Sequence, residues 1–307
     1  MSLRLPVFRP ASTEWPTLGL ALLIYGAWLA ITALQSRLPF WVLLPIGSWL
    51  MAWQMSLQHE VLHGHPTRWQ LVNDVIGFPP LNLWLPYARY REQHLGHHRG
   101  DKLTDPIDDP ESYYVTAETF RERSRTGRMM LAICNTLAGR VLIGPFRGMA
   151  GFLRPEARLL LAGDKAAWRI WLPHLAGVAL VVTWLHGICH MTLIRYAVLF
   201  IYPGFALALI RSFAEHRAAA LQAHCTAIVE NAPVLGLLFL HNNLHVVHHT
   251  KPGLPWYRIP AAYRADKAWL KQRNGGLVYD GYADIARRYL FSQHDKPDHP
   301  IKGNPAR

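Results

Sequence analysis

Four stretches of this chain carry no charged side chain over lengths that soluble folds seldom use. Residues 15–36, 38–58 and 170–194 contain no Asp, Glu, Lys or Arg, and a shorter window, 196–210, is bounded by Arg195 and Arg211. A helix needs about 20 mostly apolar residues to cross the hydrocarbon core of a bilayer. The two bounding arginines can snorkel to the interfaces. Trp28, Trp41, Trp171, Tyr196 and Tyr202 lie in or beside the windows, where an aromatic belt falls. Buried core helices of a soluble protein are the alternative, and four such windows argue against it. The expected fold class is all-α and integral to the membrane. Transmembrane helices at about 17–35, 38–58, 170–190 and 192–211 would pair into two hairpins, beneath a helical cytoplasmic cap. One domain is expected over 1–307, with metal-binding regions at 59–169 and 212–291 and a flexible tail at 292–307.

Charge sets the expected orientation. If all four windows span, every Lys and Arg of the 32 except Arg37 and Arg195 falls on one side, which the positive-inside rule makes the cytoplasm. The net charge of +12 then reports topology and attraction to anionic lipid headgroups. Nucleic-acid binding is the competing reading of so basic a chain, but no recognition motif accompanies it. Cys134, Cys189 and Cys225 form no CxxC, so neither a disulfide framework nor an iron–sulfur cluster is expected. The polar start "MSLRLPVFRPASTEWP" reads as the lead-in to a retained anchor, not a cleaved signal.

Histidine is the informative residue, with 17 in the chain. "HEVLH" (His59, His63) directly follows the second window, "HLGHH" (His94, His97, His98) and "HVVHH" (His245, His248, His249) repeat an HxxHH spacing, and His216 stands alone after the fourth window. On the expected topology all four groups reach the same side, provided that three other apolar stretches do not cross. Asn73, Asp74 and Pro79-Pro80 interrupt 71–88; Arg140, Gly144-Pro145 and Arg147 interrupt 129–153; and 233–240 is short. Neutral imidazole suits iron, zinc, copper or nickel. Nine histidines exceed what one ion can hold and suit two metals in one site. A zinc peptidase would use HExxH with Glu60 as base and one further ligand, leaving both HxxHH groups without a purpose. A membrane metal carrier would place its histidines on flexible loops, not at fixed spacing beside span ends.

Glu60, Glu92 and Glu215 each stand within two residues of a proposed ligand and are candidates to accept a ligand's free N–H. Asn242 and Asn243 are candidates to hold a metal-bound water. His65 and His241 remain open between further ligand, support and substrate contact. His174, His186 and His190 fall in or beyond the third window, and His224, His294 and His299 read as surface groups.

In order and spacing, "HEVLH", "HLGHH", the lone His of "AEHR" and "HVVHH" resemble the histidine boxes of the membrane fatty acid desaturase and hydroxylase superfamily, over residues 59–249. The words "HEVLHGHPTR", "LTDPIDDPES" and "NNLHVVHHTKPGLPWYRIP" resemble a bacterial branch of it, hence a bacterial inner-membrane enzyme. The resemblance implies two non-haem iron ions at the cytoplasmic face, with O2 as co-substrate, oxidising an unactivated C–H bond of a fatty acyl chain or other lipid. Desaturation is the first expectation, hydroxylation the second, and oxidative decarboxylation to a terminal alkene the third. The chain has neither a cysteine set for an iron–sulfur cluster nor a Gly-rich nucleotide fingerprint. A separate electron donor, ferredoxin or rubredoxin with its reductase, is therefore expected.

Overall fold

The computed structural model describes residues 10–99 and 102–300. Helix α1 (Trp15–Ala33) carries Pro16 in its first turn, where the missing N–H costs nothing. After a short turn come α2 (Phe40–Leu62), α3 (Gln70–Gly77) and α4 (Tyr87–Arg99). Thr116, Ser124 and Thr136 cap α5 (Ala117–Glu122), α6 (Arg125–Cys134) and α7 (Leu137–Leu142), each accepting a backbone N–H three residues on. Helix α8 (Gly144–Leu161) precedes α9 (Lys165–Val182), which Asp164 caps and which continues as a π-helical turn, Thr183–Ile188. Next follow α10 (Leu193–Tyr196), a second π-helical turn, Ala197–Ile201, and α11 (Tyr202–Glu215). The chain ends with α12 (Pro233–Leu238), α13 (His245–Thr250), α14 (Ile259–Arg273) and α15 (Gly281–Tyr289). Strands β1 (Ile228–Val229) and β2 (Val278–Tyr279) form one short parallel pair.

Four helical stretches are long and apolar enough to cross a membrane: Trp15–Ala33, Phe40–Leu62, Lys165–Ile188 and Leu193–Glu215. They coincide with the uncharged windows, and the fold is all-α and integral to the membrane. None of the other apolar stretches forms such a helix. Residues 71–88 break after α3, 129–153 is divided among α6, α7 and α8, and the 233–240 run gives the six-residue α12.

The chain divides into two compact units, one of residues 1–92 and 145–208, the other of 93–144 and 209–307. The core of the first gathers Trp28, Leu43, Met51, Leu185, Tyr196 and Phe200. Its irregular stretch after α3 exposes backbone carbonyls that apolar surroundings cannot satisfy. Side chains meet them instead: Gln58 Nε2 donates to the Gly77 carbonyl (2.8 Å), Gln54 Nε2 to that of Pro79 (3.1 Å) and the Tyr196 hydroxyl to that of Leu81 (2.8 Å). Trp28 Nε1 donates in turn to the Tyr196 oxygen at 2.9 Å. Another buried junction joins α8 to its neighbours, where Glu156 accepts from Arg89 Nε (3.0 Å) and Trp171 Nε1 (2.7 Å).

The second unit is built on two apolar clusters. One holds Leu137, Phe213, Val229, Tyr279 and Ile285; the other holds Ile228, Val246, Val247, Tyr263 and Leu270. Of the stretch 292–307 expected to be a flexible tail, residues 292–300 are described and are fastened. Asp295 pairs with Arg217 at 3.1 Å and accepts from the Tyr114 hydroxyl at 3.0 Å, and the Val115 amide donates to the Pro297 carbonyl. The remainder of that tail, 301–307, lies outside the described residues.

Glycines set the approach of α2 to α11 in the first unit. A Cβ on Gly204 would stand 2.4 Å from the Met51 Cβ and 3.1 Å from the Ser48 carbonyl oxygen, whereas one on Gly26 meets nothing within 4 Å. Gly204→Val should therefore cost about 1–3 kcal/mol by overpacking, read as a lower thermal midpoint of the detergent-solubilised chain. Gly26→Ala should leave that midpoint where it is or raise it.

Candidate metal centre

Helix α4 carries His94, His97 and His98 on its final turns, and α13 carries His245, His248 and His249 at the same spacing. Residues three and four apart share a helix face, so each HxxHH presents its rings to one side. His216 follows α11 directly, in an isolated antiparallel bridge with Thr226. These seven residues belong to the second unit, and there they converge in two sets. In one, His97, His216, His245 and His249 hold their ligand atoms within 4.8 Å of one another. His216 Nε2 stands 3.1 Å from His97 Nε2 and 2.9 Å from His245 Nε2, and His249 Nε2 is 3.0 Å from His245 Nε2. In the other set, His98 Nε2 lies 3.1 Å from His94 Nε2 and 2.9 Å from His248 Nε2. The two sets touch where the His98 and His249 rings stack, with centroids 4.4 Å apart.

The opposite ring nitrogens point outward to oxygen. His94 Nδ1 meets Glu111 at 2.7 Å and His97 Nδ1 meets Asp109 at 2.8 Å. His216 Nδ1 meets the Cys225 carbonyl at 3.2 Å, and His245 Nδ1 meets Asn242 Oδ1 at 3.0 Å. The Asn242 amide donates to Glu215 (3.0 Å), which also pairs with Arg211 at 3.0 Å. Carbonyl and carboxylate oxygens only accept, so each of these Nδ1 atoms carries the proton and each Nε2 of a neutral ring keeps its lone pair.

Electrostatics keep most of these rings neutral. Burial pushes His216 down to about 3, helped by the charge of His97. Burial, then His216 and His249, hold His245 well below the ordinary range; burial with His98 and His216 does the same for His249. Burial also lowers His98 to about 2, with His94 and His97 adding to it, and lowers His94 although Glu111 opposes. His97 is the exception, because burial is outweighed by its Asp109 hydrogen bond and nearby carboxylates, and its pKa is raised. Burial alone would raise Glu111, but His94, with His97 and Arg211, holds it well below the usual carboxylate range.

Neutral His216 and His245 therefore aim lone pairs at each other across 2.9 Å. That contact repels unless a cation lies between the nitrogens. Two nitrogens bound at right angles to one ion, each about 2.1 Å from it, stand about 3 Å apart. The donor set fits a nitrogen-ligated metal, and the oxygens behind it are what metal-bound histidines use to fix ring orientation.

A sequence profile of the family described as fatty acid desaturase matches residues 35–281, most of the chain. The chain belongs to the fatty acid desaturase family. A search of curated proteins found no match. Membership makes this desaturase-family protein an oxidoreductase, and its histidine clusters could hold metal.

In the first unit, His59 and His63 lie on the last turn of α2 and just past it, buried, with ring centroids 5.1 Å apart. Glu60 and His65 form a separate buried group with Glu14. Glu92 does not support a histidine. Its side chain is 62% exposed and pairs with Arg89 at 2.6 Å, because residues two apart on a helix, such as 92 and 94, face different ways. Asn243 likewise turns from the rings and donates to the Val229 carbonyl at 2.7 Å, while the neighbouring Asn242 faces them. His241 stacks on Trp256, centroids 6.0 Å apart. Inside the third span, His174 bonds the Leu83 carbonyl.

The carboxylates that sequence reasoning missed are Asp109 and Glu111, 12 and 17 residues beyond the histidines that they hold. The signal was the acidic run "DPIDDPES", which adjacency to the boxes could not assign. Asp109→Asn should weaken metal retention about tenfold to a hundredfold, measured by chelator competition on the purified chain. Glu92→Gln should leave it unchanged.

Proposed function

We propose that the chain is an O2-dependent oxidase that desaturates a fatty acyl chain, with His59, His63, His94, His97, His98, His216, His245, His248 and His249 holding two non-haem iron ions. The observation that carries this reading is the facing of two neutral imidazoles, His216 and His245, at 2.9 Å, a hydrogen-bond distance with no proton to fill it, each tied outward to oxygen. The second unit supplies seven of the nine nitrogens, and the family pattern assigns His59 and His63 to the same pair of ions. Bound iron would supply activation of O2 and abstraction of hydrogen from carbon. Removing two hydrogens with O2 as oxidant consumes two electrons and two protons and releases two waters, so an electron source is required.

The residues of this chain then have defined work. Asp109, Glu111, Asn242 and the Cys225 carbonyl orient the rings through Nδ1. Glu215, gripped by Arg211, orients Asn242. An acyl chain offers no polar handle along its length, so position must come from the shape of an apolar passage, where an error of about 1 Å can cost about a hundredfold in rate. The positive charge, which lies outside the two turns except for Arg37 and Arg195, supports a cytoplasmic site, and the resemblance to a bacterial branch is what supports an inner membrane in this reading. A peptidase reading would leave the seven-histidine assembly of the second unit unused.

The test is the lipid and hydrocarbon profile of cells expressing the chain beside a His98→Ala control. New double bonds in the first and none in the second are expected. Hydroxylated chains or terminal alkenes would replace desaturation with hydroxylation or decarboxylation, and an unchanged profile would sink the oxidase. Elemental analysis should find close to two irons per chain, against one zinc for a peptidase. The purified chain with NAD(P)H alone should not turn over until ferredoxin or rubredoxin and a reductase are added.

A further inference from the structure

A second cluster of ionisable groups lies wholly within the first unit. Glu14, Glu60 and His65 are all buried, His65 completely. His65 Nδ1 bonds Glu14 Oε2 at 2.8 Å, and its Nε2 faces Glu60 Oε1 at 3.9 Å. Glu14 occupies the N-cap of α1, yet its side chain makes no capping bond. Capping would satisfy an orphan N–H of that helix; the carboxylate is directed to His65 instead. The backbone joins at the same place, because the Glu14 amide donates to the Pro66 carbonyl at 3.0 Å. The start of the first span is thus tied twice to the loop that leaves the first histidine box. Glu60 stands on α2 between His59 and His63. Any tilt of the final turn of α2 moves all three together.

We propose that Glu14 is a positioning residue for the His59–His63 pair, acting through His65 on Glu60 and the last turn of α2. The inference rests on the reading of His59 and His63 as iron ligands. It explains why a carboxylate in the lead-in to a membrane helix is buried, and it gives His65, the third histidine of "HEVLHGH", a role without making it a ligand. His59 and His63 stand four residues apart at the end of α2 and share one face, so they would serve the same iron, and the tie would bear on that iron and spare the other.

The test uses the full-length, iron-loaded chain in detergent. Iron retention against an excess of ferrous chelator and the 57Fe Mössbauer spectrum are compared for wild type, Glu14→Ala, Glu14→Gln and His65→Asn. Glu14→Ala should lose one of its two irons about tenfold faster or more, with one quadrupole component altered and the other unchanged. Glu14→Gln, which keeps an acceptor oxygen, should hold that iron better than Glu14→Ala. A lower thermal midpoint with retention and spectrum unchanged in all three variants would reduce the cluster to a structural tie and overturn the proposal. So would a third metal ion per wild-type chain that Glu14→Ala lacks, since the cluster would then be a metal site itself. Should Glu14→Ala fail to fold, the other two variants decide by the same spectral criterion. Fewer than two irons in wild type would fell the proposed function rather than this inference.

Discussion

A neutral imidazole has one nitrogen that gives a proton and one that offers a lone pair, and this desaturase-family chain fixes which is which. The outward nitrogens of His94, His97, His216 and His245 are committed to acceptors that cannot donate: Glu111, Asp109, the Cys225 carbonyl and the Asn242 carbonyl. In the neutral rings among them, His94, His216 and His245, the inward nitrogen is left with its lone pair. The arrangement would be unstable as an empty cluster of buried lone pairs, and it becomes favourable when cations occupy it. Metal held by these clusters would therefore couple its binding to the folding of the second unit. The rest of the architecture follows from the need to hold short helices at fixed rotation, so that repeats of HxxHH on α4 and α13 can aim at common points.

The membrane part answers a different constraint. Where hydrocarbon excludes water, every peptide group needs a protein partner. Helices satisfy their own, and the stretch after α3 cannot. Gln54, Gln58 and Tyr196 supply what the broken backbone lacks, which lets the stretch after α3 leave helical geometry with its carbonyls satisfied. Polar side chains within the apolar spans are what make the irregular segment tolerable.

The division between what could be read in advance and what could not follows the range of the interactions. Spans were legible because the absence of charge over about 20 residues is a local property with one physical meaning. Histidine spacing was legible for the same reason: i, i+3 and i, i+4 are set by the helix alone. The supporting oxygens were not, because adjacency in sequence is a poor guide to contact. Glu92 sits two residues from His94 and faces Arg89, while Glu111, 17 residues away, reaches the ring. Asn242 and Asn243 differ by one position, and only the first meets a histidine. Cys225 contributes its carbonyl, an atom that no residue-type pattern records.

Helix α2 serves two tasks from rows one residue apart. Gln54 and Gln58 form one row, four apart, and hold the folded-back backbone; His59 and His63 form the next row, also four apart. Each added or deleted residue turns a helix by about 100°. An insertion or deletion between Gln58 and His59 would leave one row in register and swing the other away, so the length of this segment is as constrained as the two rows of side chains it carries.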